Sequence, residues 1–344
     1  MRFGLLLLGE HDPDKLLGLA TLAEQHGLQD LWYADEKFYR DPYVSLASVS
    51  HHTRSIRLGS CVSDPFTRHP ALIATAAATL DEISAGRAVL GMGAGFSGLE
   101  ALGIRRTRTV HTLRQAIDTI RRLWAGETVT IEEEAFVLRQ ANLNFRGRPE
   151  IPILLASAGP QILRLAGEVA DQVMLGDLGS AEVLTRALAE VGRGAARAGR
   201  RLDDLERIAR LNLVLSDDPE AARDAVRPWI LAYLWHAYPD WSTLFDYSPD
   251  WEEKLAPFRA FLAGQTAGPR NVGDREQVLR FGPLIPEGLL RRYALAGRAE
   301  DLRAQIREIA GTGITEIALF PTPLPGQTID GVLGDFFRNV LPHL

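Results

Sequence analysis

Among its 344 residues the sequence holds a single cysteine, Cys61. One thiol excludes a disulfide within the chain and any zinc site built from several cysteines. Lysine is nearly as scarce, with only Lys15, Lys37 and Lys254. That scarcity argues against an aldolase or isomerase, which would want a lysine or a metal cluster at its strand ends, and no metal site is expected. No apolar run approaches the ~20 residues that cross a bilayer. The opening MRFGLLLLGEHDPDK carries a short apolar run, but no small-residue cleavage site follows it and acids come at once. It reads as a first strand rather than a signal peptide, and the expectation is a cytoplasmic protein. There is no basic excess either. The net charge is −6 and the arginines are interspersed with acids, so neither nucleic acid nor a membrane is an expected partner. No low-complexity linker divides the chain, which predicts one domain over residues 1–344.

What is present is a steady alternation. Short apolar runs at 3–8, 28–34, 56–62, 88–92, 151–157, 172–175, 206–215 and 314–320 have the length and continuity of strands buried on both faces. Stretches with helical spacing follow them, at 14–26, 42–51, 69–83, 109–124, 160–170, 180–197, 299–310 and 329–340. Eight strands alternating with helices predict an α/β fold with a parallel sheet, and eight repeats favour a closed (β/α)8 TIM barrel over an open sheet. Two stretches break the rhythm. Residues 126–150 read as a hairpin insertion. Residues 236–295, with Trp241, Trp251 and several prolines, read as an irregular helical insertion.

Two glycine signals bear on binding. Gly93, Gly95 and Gly98 match the spacing of a dinucleotide fingerprint, but the context is wrong. The strand is the fourth, and the next helix starts only some ten residues later. A tightly turned loop is the better reading, and it still permits close backbone approach to a planar ring. After the fifth strand, Ser157, Ala158, Gly159 and Pro160 lead straight into a helix. Small residues there let backbone N–H groups converge at the positive helix end, which suits a phosphate monoester better than a pyrophosphate. Gly176 and Asp177 form the neighbouring loop. An ordinary helix cap is the alternative reading.

The segments LWYADE at 31–36, IRLGSCVSDPFTRHPALIATAAATLDEISAGRAVLGMGAG at 56–95, ALGI at 101–104 and SAGPQILRLAGEVADQVMLG at 157–176 resemble the bacterial luciferase-like monooxygenase superfamily. Within it they resemble the F420-dependent branch that includes methylenetetrahydromethanopterin reductase. The resemblance covers most of the chain apart from 236–295. It implies a non-proline cis peptide at Cys61-Val62, in a bulge that with Ser63 supports the cofactor ring. It also implies a phosphate site at Ser157 to Pro160 with Gly176 nearby, and a homodimer. The expected cofactor is F420, with FMN as the alternative. Departures are visible: Asp35-Glu36 stands where many relatives have Asp-His, and Leu6 and Phe96 stand where the reductases carry acids.

The reaction the resemblance implies is hydride transfer between the deazaflavin and a small organic substrate such as a pterin or folate C1 carrier. Glu36 and Asp35 lie just beyond the second strand, at the face where barrels place their chemistry. Glu36 is the candidate general acid or base, and Asp35 its neighbour or an acceptor for the cofactor; burial of one would separate their pKa values. A helix-entry acid is the plain alternative. His11, after the first strand, is a further catalytic candidate, though a lone histidine is more often structural. Asp64 and Arg68 are read either as cofactor-binding groups or as a brace paired with each other. His51 and His52 point to different sides of a helix and make a poor metal pair. The Ala-rich helix at 71–80 fits a partner subunit or an inward face. The competing functions are an FMN monooxygenase and a non-catalytic flavin or F420 carrier.

Overall fold

The computed structural model describes all residues except 96, 97, 100, 177, 238–250 and 264–277, and only the backbone of 287 and 291. Eight parallel strands close into a barrel: β1 (Arg2–Leu7), β2 (Asp30–Tyr33), β3 (Arg57–Ser60), β4 (Ala88–Met92), β7 (Ile153–Ser157), β8 (Gln172–Gly176), β9 (Glu206–Leu215) and β11 (Glu316–Pro321). The last strand returns to the first in the register Arg2↔Glu316 to Leu5↔Leu319. The (β/α)8 barrel expected from the alternation is therefore the observed architecture.

Around it run α1 (Pro13–Gln25), α2 (Pro42–Ser50), α3 (Pro70–Ile83), α4 (Thr109–Trp124), α5 (Pro160–Val169), α6 (Ala181–Arg197) and α7 (Pro219–Ala237). Proline opens α1, α2, α3 and α5, where its missing N–H costs nothing and its fixed φ suits the first turn. Asp12 and Asp41 cap α1 and α2 by accepting first-turn N–H groups, so each of these helices starts at a defined distance from its strand end.

Residues 126–150 contain the antiparallel pair β5 (Val129–Glu132) and β6 (Val137–Ala141), the expected hairpin. The described parts of 236–295 hold α8 (Glu252–Ala263) and α9 (Glu287–Tyr293), while Trp241 lies outside the described residues. These helices pack on α7 around Phe258, Leu289 and Tyr293, a second apolar cluster that also takes in Val214 at the top of β9. One element was not expected. β10 (Ala294–Gly297) pairs with the end of β9, from Asn212 to Leu215, beyond the point where β8 leaves it. The chain closes with α10 (Ala299–Ala310) and α11 (Ile329–Asn339).

Strand alternation sends Leu6, Trp32, Val89, Leu154, Met174, Ile208, Ala318 and Phe320 into the barrel. Trp32 is the plug. A Cβ on Gly59 would fall 2.3 Å from its ring and one on Gly4 would fall 2.9 Å from its Nε1, so β1 and β3 give it room only as glycines. Its Nε1 donates to Glu316 Oε1 at 2.9 Å. Below it lies an ionic floor. Arg57 grips Asp30 through Nε at 2.6 Å and Nη2 at 2.8 Å, and both Arg57 and Arg2 reach Glu206. Burial and the adjacent Asp30 carboxylate push Glu316 well above the usual carboxylate range.

Burial raises the Glu206 carboxyl, but hydrogen bonds from Arg2 and Arg57 outweigh it and bring the pKa down to about 2. A depressed carboxylate contributes stability that is complete above its unfolded value of 4.5 and is lost as pH falls from there towards 2. Glu206→Gln is expected to destabilise by about 1–2 kcal/mol at pH 7, allowing for solvent screening of a partly exposed group. Thermal melts at pH 7 and pH 3 test this. The wild type should lose more stability between the two than the variant, and equal losses would remove Glu206 from the floor's energetics.

Candidate active site

With the floor closed, the carboxyl ends of the strands form the accessible mouth. β3 ends at Ser60, and the Cys61-Val62 peptide that follows is cis and non-proline, as the resemblance implied. The chain bulges there and then rejoins the sheet. Ser63 N–H donates to the Gly91 carbonyl, and Gly93 N–H donates to the Ser63 carbonyl, each at 2.9 Å. The bulge explains the glycines of β4. A Cβ on Gly91 would sit 1.9 Å from the Ser60 carbonyl oxygen, and one on Gly93 would sit 2.4 Å from Val62 Cγ2. Gly93 is therefore glycine to admit Val62. Gly95, at φ +66°, packs against the Asp64 carboxylate, and its carbonyl accepts from Arg106 at 3.1 Å. α4 begins only at Thr109, well beyond the end of β4 at Met92, so no helix end follows the Gly-rich loop as a dinucleotide site requires. Phe96 lies outside the described residues.

Cys61 faces the barrel interior with its Sγ 3.5 Å from Met174 Sδ. Burial pushes its thiol up to about 12, which keeps it protonated and makes it a lining group rather than a nucleophile.

The two adjacent acids after β2 separate in role. Asp35 is buried and accepts Ser63 Oγ at 2.7 Å and Arg68 Nε at 2.8 Å. Arg68 continues to Asp41 at 2.6 Å, and Ser63 Oγ lies 2.9 Å from the buried Tyr43 hydroxyl, whose pKa burial raises to about 12. Asp35 and Ser63 thus tie the loop after β2 to the bulge after β3, with their side-chain oxygens committed to that network. Asp64 and Arg68 are not paired side chain to side chain. Asp64 accepts from Lys37 Nζ at 2.6 Å and from the N–H groups of Phe66 and Thr67, while Arg68 turns to Asp35 and Asp41. The brace read between them is corrected to two separate ties, because the turn that Asp64 caps carries Arg68 towards the loop after β2.

Glu36 is half-buried beside Lys37. Burial raises its pKa; Lys37 opposes this, and the Asp35 and Asp64 carboxylates reinforce it. A carboxyl held above its ordinary range at a barrel mouth has the character of a proton donor and acceptor. His11 sits in the turn between β1 and α1, with Nε2 3.8 Å from the Glu10 carboxylate. Asp35, committed to Ser63 and Arg68, gives it no partner. His52 Nδ1 lies 3.0 Å from the Ser48 carbonyl, and among the described residues no group of three acids, histidines or cysteines is placed to hold a metal.

Across the mouth, β7 ends at Ser157 and α5 begins at Pro160, with Gly159 as the N-cap residue and no side-chain capping bond. Ser157 Oγ accepts the Gly159 N–H at 2.9 Å. The whole stretch from Ser157 to Pro160 is partly exposed, Ala158 included. A Cβ on Gly159 would meet only Ser157 Oγ, at 3.6 Å, and one on Gly176 would meet no described atom within 4 Å. An uncapped helix start beside two glycines that face open space fits a phosphate. Asp177 lies outside the described residues.

The sequence reading passed over Lys37 and Arg210. Arg210 lies on β9 with its Cζ 4.7 Å from the Phe320 ring centroid, and burial lowers its pKa to about 10. Strand parity from Ile208 carried the signal, since a charged residue two places on has to share the inward face.

The family described as Luciferase-like monooxygenase matches residues 1–316. The chain is 30% identical over 318 residues to a 5,10-methylenetetrahydromethanopterin reductase of Methanolobus tindarius, covering 92% of this chain and 93% of that one. It is 33% identical over 351 residues to an F420-dependent glucose-6-phosphate dehydrogenase of Kineococcus radiotolerans, covering 96% and 93%. Among solved structures, the coenzyme F420 dependent tetrahydromethanopterin reductase from Methanopyrus kandleri superposes with a TM-score of 0.80 over 99% of both chains at 23% identity, a likeness of fold.

Proposed function

The chain belongs to the luciferase-like monooxygenase family, and from that premise we propose that it is an F420-dependent oxidoreductase exchanging a hydride with a pterin- or folate-type carrier of one-carbon units. The observation that carries this reading is that a non-proline cis bulge and an uncapped helix start stand at one mouth, suited to seat a ring and to cradle a phosphate. The seat is the bulge at Cys61-Val62 and the cradle is the open start of α5. F420, when bound, supplies the hydride-accepting carbon of its deazaflavin ring. The remaining work falls to the protein. Ser157, Ala158, Gly159 and the first turn of α5 would hold phosphate oxygens, and Val62 would back the ring. Asp35, Ser63, Arg68 and Tyr43 hold that bulge in place. Glu36 holds a proton at its carboxyl and delivers it to, or takes it from, a substrate atom as the hydride moves. The reductase relatives, aligned over nearly the whole chain, support the one-carbon carrier.

Fluorescence titration with F420 and separately with FMN tests the cofactor, followed by turnover with methylene-tetrahydropterin and methylene-tetrahydrofolate. F420 should bind and FMN should not. A preference for FMN would transfer the protein to oxygen-activating chemistry. Binding of neither would remove the phosphate cradle and the function with it.

The same reading extends to assembly. Val44 at the start of α2 and Leu72 at the start of α3 are 72% and 67% exposed, and Phe38 after β2 is 75% exposed. Apolar side chains so displayed support a second copy of the chain as their cover, making a homodimer. Light scattering should give twice the chain mass, and Leu72→Arg should return the monomer. The cytoplasm is the proposed location. No helix among the described residues is long and apolar enough to cross a membrane.

A further inference from the structure

On the β9–β11 side of the mouth, across from the bulge and within electrostatic reach of its Cys61, lies a group of hydrogen-bond donors that the proposed chemistry does not use. Arg210 and Asn212 share the inward face of β9, above Ile208 of the barrel core. Phe320 of β11 stands in register with Asn212, and the Arg210 guanidinium lies over its ring at 4.7 Å. Trp229 of α7 meets the same ring edge-on, at 5.2 Å and 87°. Asn212 is 1% exposed. Its Oδ1 accepts Thr322 Oγ1 at 3.4 Å, while its Nδ2 has no hydrogen-bond partner among the described residues. A buried amide N–H2 left in this state awaits an acceptor, because nearly all such groups are satisfied in folded proteins.

The chemistry of the missing acceptor can be read from the wall. Arginine has donors only, five of them in a planar fork, and can serve a further oxygen whatever else it touches. Burial lowers the Arg210 pKa only to about 10, so the cation persists at neutral pH. On the neighbouring strand Gly176 stands in register with Arg210, so no side chain from that position covers the guanidinium. Phe320 and Trp229 add flat apolar surface beside the donors. We propose that Arg210 and the Nδ2 of Asn212 form an anion subsite within this mouth, taking the carboxylate of a substrate whose adjoining part is planar and apolar. The inference rests on the F420-dependent reading for the identity of the mouth. It adds that the hydride-exchanging substrate carries an acidic oxygen group, which the reaction type alone does not require.

Calorimetric titration of the protein, with and without F420, using benzoate, phenyl phosphate and neutral benzamide tests the subsite. Benzoate is expected to bind at least about 10-fold more tightly than benzamide, the scale of a charge-assisted hydrogen bond. Arg210→Gln should weaken benzoate by about 10- to 100-fold and Arg210→Lys by less, because the charge stays and the fork goes. F420 affinity should remain within about twofold in both. Phenyl phosphate bound more tightly than benzoate, and lost equally in Arg210→Gln, keeps the subsite and makes its ligand a phosphate ester. Equal binding of benzoate and benzamide, no binding of benzoate, or unchanged binding in Arg210→Gln overturns the proposal. A loss of F420 affinity in step with benzoate also overturns it, by giving Arg210 to the cofactor. Should Arg210→Gln fail to fold, Asn212→Ser provides the same comparison with a smaller loss. Failure of the wild type to bind F420 sinks the cofactor reading alone, since benzoate is also titrated without it.

Discussion

Glu36→Gln is expected to lower kcat by about 10²- to 10⁴-fold while leaving F420 affinity within about twofold. Glutamine keeps the size and polarity of the side chain and removes only its capacity to carry a proton. The environment makes that capacity useful. Burial lifts the Glu36 pKa, and the carboxylates of Asp35 and Asp64 reinforce the lift against Lys37. A group poised above 4.5 gives up and regains its proton closer to neutral pH than an exposed glutamate does. The wild-type rate should therefore show one ionisation above the ordinary glutamate range, and that limb should vanish in Glu36→Gln. Asp35 offers the contrast. Its oxygens are held by Ser63 and Arg68, so Asp35→Asn should act first on the melting temperature. Steady-state kinetics over pH, with F420 binding measured by fluorescence, separate the two acids. A Glu36→Gln enzyme retaining more than about a third of wild-type kcat would end the acid–base assignment.

Gly91→Ala is expected to cost about 3 kcal/mol of stability and to weaken F420 binding more than 10-fold, the upper range for forcing a methyl into a packed interior. The new carbon would lie 1.9 Å from the Ser60 carbonyl oxygen and 3.3 Å from Val62 Cγ1. The obstacle is backbone, so no rotamer change relieves it. β3 and β4 would have to part where the bulge rejoins the sheet, moving Val62 and the Ser63 hydroxyl together. Chemical denaturation and an F420 titration on the same preparation check both halves. Wild-type affinity in a destabilised variant would mean that the bulge does not seat the ring.

The barrel could be read from the sequence because its strands are buried on both faces and announce themselves as unbroken apolar runs. β10 could not. Its four residues, Ala294–Gly297, lack the β-branched or aromatic character that marks a strand, and they pair only because β9 outlasts β8. The start of α5 after Ser157 was legible because small residues before a proline are a local signal. The role of Asp35 was not, since its tie to Arg68 spans 33 positions and depends on a turn that brings two loops together. Arg210 was overlooked for a different reason. β9 was read as a run of burial, and the face each residue takes emerges only when parity is counted from a known inward neighbour.

Among the described residues, Trp32 and the charged layer beneath it leave the vessel without a drain. Whatever arrives past the rim has to depart over the same rim, so two ligands queue for one doorway instead of passing through in file. Traffic at the doorway then competes with chemistry for control of turnover. Solvent viscosity and substitutions around the rim become handles on rate, even where they touch no reacting atom.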